Sequence, residues 1–385
     1  MDLSLSALER ENIETIRRFV DREVRPTVRA LEHADEYPTA LVERMRALGL
    51  FGMGVSVEHG GLGLPYVTYA LVFEELSRGW MSLAGVLGTH GIVCYLVQTF
   101  GTDEQRASLL PRLATGELRG ALALTEPEGG SDVASLRTRA EADGDDFMLT
   151  GSKQFITNTH EGNLFATVAR TGGAGAAGLS CFLVEKSAVA SGTLIEGAPL
   201  RKLGYKGLKT SALTFDGCRV AGARLLGGVV GSGFSQVMAG LEIGRINVAA
   251  RAVGVARAAL EDSLAYAETR VTFGKPIVEH QAIAHKLADM ATEIEAARWL
   301  YLAAAAKKDR GERADLEASM AKLFASTMCT RATLEGIQIH GGYGYTDDYD
   351  VERYYRDAPL FTVGEGTNEI LRTVIAKGLR KRATP

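Results

Sequence analysis

Apolar residues recur at spacings of three and four along the first third of the chain, for example at Leu41, Met45 and Leu48. This period is typical of amphipathic helices, and breakers such as Pro38 divide the stretch into several of them. The pattern predicts an all-α domain over residues 1–120.

The pattern changes after residue 120, where short apolar runs alternate with turn-forming Gly and Asp residues. Such runs are typical of a small antiparallel β-barrel, which we place at residues 121–233. The low-complexity run 172–178 lies where a hairpin loop is expected. The predicted strands include 147–149, 164–168, 179–184 and 212–215.

Helical spacing returns after Phe234 in long segments with short connections, which predicts a four-helix bundle over residues 234–385. The predicted segments are roughly 234–271, 279–309, 313–340 and 367–377. The predicted fold class is therefore α+β, with an N-terminal α-helical domain, a middle small antiparallel β-barrel and a C-terminal helical bundle.

The composition is that of an ordinary globular protein, with 385 residues of which 46% are hydrophobic and 23% charged. This length favours two or three domains over one core. Because 43 Lys plus Arg face 47 Asp plus Glu, no positive excess is available to bind a polyanion, and nucleic acid is not an expected partner.

The four cysteines are scattered, which favours a reduced setting, and we predict a cytoplasmic location. The seven histidines are dispersed as well, so no metal site is expected. Residues 1–4 lead at once into charged residues, without a recognisable secretory or transit segment. Residues 79–102 lack Asp, Glu, Lys and Arg but contain five Gly, and we expect a buried helix pair there, not a membrane span.

The most informative segment is 362–370, in which Gly364 and Gly366 flank Glu365. Flanking glycines let the backbone approach a ligand while presenting the side chain between them, which makes Glu365 a candidate general base. Thr367 or Gly366 can cap the helix that follows. The alternative is that Glu365 is a solvated residue in a loop at a helix entrance.

Two further segments frame the β region. Around Gly130 and Ser131, successive amides and a hydroxyl suit a phosphate or pyrophosphate, although the segment is equally compatible with a simple turn. In segment 151–158, strand alternation places Phe155 and Thr157 on one face, although an aromatic there is more often a core residue.

In the C-terminal half, Arg270 ends a predicted helix before a Gly/Pro break. It is either a contact for an anion or a positive charge that is favourable at a helix C-terminus. Segment 338–344 closes another helix with a glycine pair, and we interpret His340 as structural. Arg245 is either functional or an exposed charge. Gly244 beside it costs about 1 kcal/mol relative to Ala in a helix interior, which indicates a close approach by another group.

Taken together, five spaced motifs resemble those of the acyl-CoA dehydrogenase family over essentially the whole chain. They are Thr-Glu-Pro-x-x-Gly-Ser-Asp, Gly-x-Lys-x-x-Ile-Thr-Asn, Arg-x-x-Phe-Gly-Lys-Pro with His-Gln-Ala, Gln-x-x-Gly-Gly-x-Gly and Glu-Gly-Thr-x-x-Ile. The resemblance implies an FAD enzyme, usually a homotetramer, that introduces an α,β double bond into an acyl-CoA thioester.

The resemblance makes Glu365 the base that removes the α-proton, while its backbone amide and a flavin ribityl hydroxyl hold the thioester carbonyl. The β-hydrogen then passes as hydride to flavin N5. The implied cofactor contacts are Thr125, Gly130, Ser131, Phe155, Thr157, Arg270, Thr272, Phe273, Gln281, Gln338, Gly342, Thr367 and Glu369, those from Arg270 to Gly342 across a subunit boundary. The implied substrate contacts are Ser131, Glu242, Gly244, Arg245 and Gly364.

Three departures from the family pattern matter. Many members carry Tyr immediately before the base, where this chain has Gly364, so we predict a wider pocket that accepts branched, cyclic or aromatic acyl groups. Phe155 stands where Trp is common. The isovaleryl-CoA branch places its base at the position of Gly244, which leaves Glu365 as the one sensible candidate.

The expected acyl group is short to medium in length, from fatty acid or branched-chain acid metabolism, and the expected electron acceptor is an electron-transferring flavoprotein. The alternatives are an oxygen-using oxidase or monooxygenase of the same fold, an acyl-carrier-protein thioester dehydrogenase, and a non-catalytic thioester-binding protein.

Overall fold

A computed structural model describes residues 5–383, so that residues 1–4, which entered the targeting prediction, lie outside the described part. Capping boxes start two of the N-terminal helices: Ser6 with Glu9, and Thr102 with Gln105. The helices are Ala7–Phe19 (α1), Val28–His33 (α2), Thr39–Ala47 (α3), Tyr66–Gly79 (α4), Met81–Phe100 (α5) and Asp103–Ala114 (α6).

The charge-free stretch forms one helix, α5, and not the helix pair that the glycines suggested. The chain breaks before it at Trp80, whose backbone is extended. Within the described residues α5 is long and apolar enough to cross a membrane, but 67% of its apolar window is buried inside the protein. This burial is typical of the core helix of a folded domain.

The middle region is a curled seven-stranded sheet. Its strands are Gly120–Ala123 (β1), Arg139–Asp143 (β2), Asp146–Thr157 (β3), Leu164–Arg170 (β4), Leu179–Glu185 (β5), Leu194–Glu196 (β6) and Thr210–Val220 (β7). The strand order is β1-β4-β2-β3-β7-β6, with β5 paired to β4. The predicted hairpin loop 172–178 joins the antiparallel strands β4 and β5.

The sheet is not purely antiparallel. β1 runs parallel to β4, with Gly120 opposite Leu164. The β2–β3 hairpin lies between these two strands in the chain and provides the crossover connection that brings the chain back in the same direction. This pairing joins segments far apart in sequence, and local turn signals do not reveal it.

The C-terminal region is a helical bundle, completing the predicted α, β, α order. Its elements are Gly233–Thr269 (α7), Val271–Thr272 (β8), Lys275–Pro276 (β9), Gln281–Asp309 (α8), Asp315–His340 (α9), Val351–Asp357 (α10), Leu360–Val363 (α11) and Asn368–Ala383 (α12). The limits of the three predicted domains remain predictions.

One hydrophobic core joins the two helical regions, because residues of α1, α3, α4 and α5 belong to the same buried cluster as residues of α7, α8 and α9. A Cβ atom on Gly254 would collide with the carbonyl oxygen of Glu74, so glycine allows α7 to cross α4 closely. The buried Glu74 carboxylate accepts hydrogen bonds from Arg257, Arg298 and Tyr301 at the same crossing. The helices before and after the sheet are therefore packed as one unit.

Candidate active site

Glu365 lies in the short loop between α11 and α12. Its backbone is in the left-handed region, with φ 55°, and Gly366 follows with φ 90°. The Thr367 hydroxyl accepts a hydrogen bond from the Ile370 amide at 3.3 Å, which caps α12 as expected. The Glu365 amide makes no hydrogen bond to another described residue. The loop thus presents a side chain and a free backbone donor at one residue.

The Glu365 carboxylate is buried without a hydrogen-bond partner at Oε2. A Cβ atom on Gly244 of α7 would lie 2.6 Å from Oε2 and 3.1 Å from Ile92. The close approach expected at Gly244 is therefore present, and the group that approaches is the carboxylate itself. A solvated loop residue would not have its carboxylate in this position.

Burial raises the pKa of Glu365, and the positive charges of Arg245, Arg251 and Lys322 oppose this rise. None of the three cations lies within ion-pair distance of the carboxylate among the described contacts. The Glu365 carboxylate therefore lies in a positive field without an ion-pair partner among the described residues, and its Oε2 atom accepts no hydrogen bond.

Lys322 of α9 fixes the loop that carries Glu365. Its ammonium donates to the Gly366 carbonyl at 2.7 Å and to the Asn368 side chain at 3.2 Å. Burial lowers the pKa of Lys322 to about 8, an effect that the nearby Glu365 charge opposes. No sequence motif points to Lys322, because its partners are backbone and amide oxygens distant in sequence.

Two of the substrate residues predicted on α7 already have protein partners. Arg245 is buried and donates to Asp315 at 2.8 Å and to Ser319. Glu242 accepts hydrogen bonds from the Ala314 amide at 2.8 Å and from Lys308 at 3.2 Å. The exposed-charge alternative for Arg245 is therefore wrong, and both residues fix α7 against the chain around the start of α9.

A buried ion pair holds the loop after β1 against β3. Lys153 donates to Glu126 at 2.8 Å and to the Leu124 carbonyl at 3.1 Å, and Glu126 also accepts from the Arg137 and Thr138 amides. Burial lowers the pKa of Lys153 to about 8. Burial raises the pKa of Glu126, but the Lys153 charge and the hydrogen bonds bring it below its usual value. Both residues belong to sequence motifs, but nothing in those motifs predicts that they pair.

This pair positions the predicted loop and strand residues. The Gln154 amide donates to the Thr125 carbonyl at 2.8 Å, so that Thr125 lies beside β3. Gly130 and Ser131 are exposed in the same loop, after a tight turn closed between Glu126 and Gly129.

Phe155 does not follow simple strand alternation. A register shift between Lys153 and Ile156 forms a bulge, in which Phe155 has φ 59° and 63% of its surface exposed, while Ile156 is buried. The core alternative for Phe155 is therefore wrong. The hydroxyls of Thr125 and Thr157 make no hydrogen bond to a described residue.

The remaining predicted cofactor residues form a separate group at one end of the bundle. A cavity of about 660 Å³ there is lined by Arg270, Thr272 and Gly342, among others. Phe273 is 97% exposed with φ 51°, and Gln281 and Gln338 are also exposed. Within this group, Arg270, Phe273, Gln281, Gln338 and Gly342 are exposed.

Two further residues of the motifs have contacts within the chain. The His340 Nδ1 atom donates a hydrogen bond to the Gly336 carbonyl at 2.8 Å, and the ring stacks on Tyr266 with centroids 4.2 Å apart, in line with the structural role expected for it. Glu369 in the first turn of α12 is exposed and lies 3.7 Å from Arg372.

One group of potential metal ligands occurs among residues 5–383, formed by Glu32, His33 and Glu352. Arg356 forms ion pairs with both carboxylates, at 2.5 Å to Glu32 and 2.6 Å to Glu352. The group is thus explained as a salt-bridge cluster.

Three family models match the chain in sequence order. They are the acyl-CoA dehydrogenase N-terminal domain over residues 6–117, the middle domain over residues 121–218 and the C-terminal domain over residues 231–380. Together they account for most of the chain.

Relatives and solved structures agree with these matches. An acyl-CoA dehydrogenase of Bacillus subtilis (strain 168) is 44% identical over 366 residues, covering 94% of this chain and 96% of its own length. The (2S)-methylsuccinyl-CoA dehydrogenase of Cereibacter sphaeroides is 42% identical, covering 94% of this chain and 68% of its own length. The structure of butyryl-CoA dehydrogenase from Megasphaera elsdenii has a TM-score of 0.95 at 35% identity, covering 99% of this chain and 100% of that one.

Proposed function

The chain belongs to the acyl-CoA dehydrogenase family of oxidoreductases, and from this we propose that it uses FAD to introduce an α,β double bond into an acyl-CoA thioester. The observation that carries the proposal is the Glu365 carboxylate, whose Oε2 atom is buried, has no hydrogen-bond partner and lies against the helix at Gly244. A general base needs this combination of reach and raised proton affinity.

The residues assigned to the cofactor fit a flat ring system with a polar edge. Phe155 exposes an aromatic face, and Thr125 and Thr157 offer hydroxyls without other partners. Cβ atoms built on Gly341 and Gly342 meet nothing within 4 Å, so the chain there is open to a ligand. When bound, FAD supplies the acceptor for the β-hydrogen, which leaves with two electrons as hydride.

Thr125, Thr157 and Phe155 would hold the flavin ring, and Gly130 and Ser131 its pyrophosphate. Arg270, Thr272, Phe273, Gln281, Gln338 and Gly342 would contact FAD of a neighbouring subunit in a homotetramer, with Thr367 and Glu369 as further contacts. The exposure of Phe273 supports this assignment, because a large apolar side chain on the surface of one chain suits burial in an assembly.

Glu365 would take the α-proton at its carboxylate. Its free backbone amide would donate to the thioester carbonyl and stabilise the negative charge that develops there as the proton leaves. Lys322 would keep the loop in place, and the paired residues Glu242 and Arg245 would fix α7 along the substrate. Exclusion of water from this buried site strengthens each of these interactions.

Gly364 leaves space beside the base, since a Cβ atom there would meet only the Leu360 carbonyl, at 3.3 Å. The proposed acyl group is therefore short to medium in length and includes branched, cyclic or aromatic forms. The name of the C. sphaeroides relative, which acts on a methyl-branched thioester, supports a branched substrate. CoA is the proposed carrier, an electron-transferring flavoprotein the proposed acceptor and the cytoplasm the proposed location.

The test is an anaerobic visible titration of the FAD-loaded enzyme with straight, branched and aromatic acyl-CoA thioesters. We expect one class to bleach the flavin band, and we expect Glu365→Gln to keep FAD while losing flavin reduction by at least about 1,000-fold. Glu312→Gln, an exposed carboxylate remote from the loop in sequence, is the matched control.

If Glu365→Gln reduces its flavin at the wild-type rate, Glu365 is not the base. If substrate-reduced enzyme is reoxidised by air within seconds, the enzyme is an oxygen-using relative instead.

A further inference from the structure

Arg251 of α7 is a buried cation without an acidic partner. It is 6% exposed, and its Nε and Nη2 atoms are buried without a hydrogen-bond partner. No carboxylate of the described residues lies within ion-pair distance of it, whereas Arg245, on the same helix, is paired with Asp315. A buried guanidinium in this state is unfavourable unless a ligand completes it.

The surroundings of Arg251 compensate its charge only in part. Its guanidinium lies 5.3 Å from the centroid of the Tyr205 ring and 5.7 Å from that of Phe361, within the range of cation–π attraction. Tyr205 also makes a side-chain hydrogen bond with Arg251, but the N–H groups at Nε and Nη2 have no partner among the described residues. These donors are the ones that match a carboxylate.

A second unpartnered polar atom lies near Arg251. The Asn247 Oδ1 atom, one helical turn earlier on α7, is buried without a partner. A Cβ atom on Gly88 of α5 would lie 3.5 Å from Arg251 Nη1 and 3.6 Å from Asn247 Oδ1. Both polar groups therefore lie against α5 at Gly88, within van der Waals distance of this position.

Arg251 lies on the same face of α7 as the point that Glu365 approaches. Gly244, Asn247 and Arg251 are spaced i, i+3 and i+7, which places them along one side of the helix. Seven residues correspond to about 10 Å of helix axis. The unpaired cation thus lies about two turns of α7 beyond the point that the Glu365 carboxylate approaches.

We propose that Arg251, with Asn247, binds a carboxylate at the distal end of the acyl group, so that the substrate is the CoA thioester of a short dicarboxylic acid. The proposal rests on the proposed function, since it takes Glu365 as the base at the α-carbon. The separation of about 10 Å, shared between the acyl chain, the arginine side chain and its hydrogen bonds, suits a diacid of about four to six carbons. The space beside Gly364 leaves room for a branch on that chain.

The experiment compares matched pairs of thioesters that differ only at the far end: succinyl-, glutaryl- and adipoyl-CoA against butyryl-, pentanoyl- and hexanoyl-CoA. Binding to the FAD-loaded enzyme is measured by isothermal titration calorimetry, and flavin reduction by anaerobic bleaching. We expect the wild type to favour at least one dicarboxylic thioester over its partner by about tenfold or more. Arg251→Gln should weaken that thioester by about 100-fold and its monocarboxylic partner by less than about threefold.

Two further variants separate recognition from a structural role. Arg251→Lys keeps the charge without the planar fork and should retain part of the preference. Arg331→Gln, an exposed arginine of α9, should leave the preference unchanged. In the absence of substrate, Arg251→Gln should melt no lower than the wild type, because it removes an unpaired buried charge; a cation with a structural role would melt lower when removed.

The outcomes are distinguishable. If the wild type is reduced only by monocarboxylic thioesters and Arg251→Gln leaves the ratio unchanged, the inference is overturned while the proposed function stands. If dicarboxylic thioesters bind in an Arg251-dependent manner without bleaching the flavin, the subsite stands and the proposed reaction fails. If Arg251→Gln does not fold, equal binding of both thioester series by the wild type and by Arg251→Lys overturns the inference.

Discussion

At the scale of single residues, the site depends on the backbone conformation of Glu365 and on the missing side chain at Gly244. Glu365 adopts a left-handed conformation that is unfavourable for a residue other than glycine, and the surrounding loop contacts maintain it. Gly244 faces the carboxylate that this conformation presents. The Glu365 carboxylate can therefore occupy its position only because residue 244 of α7 has no side chain.

Gly244→Ala tests whether the open space at position 244 is needed to position the Glu365 carboxylate. The added methyl group would lie 2.6 Å from Glu365 Oε2, so the carboxylate must move, and we expect flavin reduction to slow by about 100-fold with FAD retained. Gly240→Ala is the matched control, because its methyl group meets Ile92 and Leu96 of α5 but not the base. A wild-type rate in Gly244→Ala, measured by stopped-flow bleaching, would show that the carboxylate position is not critical.

The raised pKa of Glu365 predicts the sign of a pH dependence. Only the deprotonated carboxylate accepts the α-proton, so the rate of flavin reduction should rise with pH, with a midpoint above the usual value of 4.5. The charged or titratable groups around it are Arg245, Arg251, Lys322, Tyr69 and Tyr205.

Lys322→Gln tests this electrostatic account. Removing its charge should move the midpoint to higher pH, because the Lys322 charge lowers the pKa of Glu365. Stopped-flow rates over a pH series check the shift, and a midpoint that stays in place or falls would contradict it.

At the scale of elements, the sequence predicts those features that have a local signal. The helical period located the long helices of the bundle within a few residues, and the Gly-rich run 172–178 predicted its hairpin. The parallel pairing of β1 with β4 and the bulge at Phe155 were missed, because both depend on which distant strand lies alongside.

The residues of the site also divide into those with a local sequence signal and those defined by distant contacts. Glu365 was found because its flanking glycines are adjacent in sequence. Lys153, Lys322 and Arg251 were not, since the first two are defined by distant partners and the third by the lack of one. Such properties exist only in the folded chain.

The Glu126–Lys153 pair should be important for the loop after β1. Lys153→Met leaves Glu126 buried without its cation, and we expect the free energy of unfolding to fall by about 3 kcal/mol, with weaker FAD retention. Adding Glu126→Gln should recover part of the loss. Urea unfolding of both variants measures this coupling, and additive losses would show that the two side chains do not depend on each other.

At the scale of the whole molecule, the exposed group at the end of the bundle should be completed by another subunit. Phe273→Ser should keep the tetramer that we propose but bind FAD about tenfold more weakly, because a 97% exposed aromatic ring loses its proposed contact. Sedimentation velocity and the flavin content after dialysis measure the two properties. Val57→Ser, another exposed apolar residue, is the control, and full FAD retention in Phe273→Ser would contradict the assignment.

Helix α7 has a consequence for the synthesis of the chain. Its 37 residues, about 55 Å long, pack against helices that precede the sheet, and these share one core with it. The last of those helices in the shared core, α5, ends at Phe100, whereas α7 ends at Thr269. At ribosomal speeds of about 5 to 20 residues per second, synthesis of α7 is complete on the order of 10 to 30 s after that of α5. The apolar faces of α4 and α5 are not covered by α7 before then. During that interval we expect the nascent chain to expose apolar surface that α7 later buries.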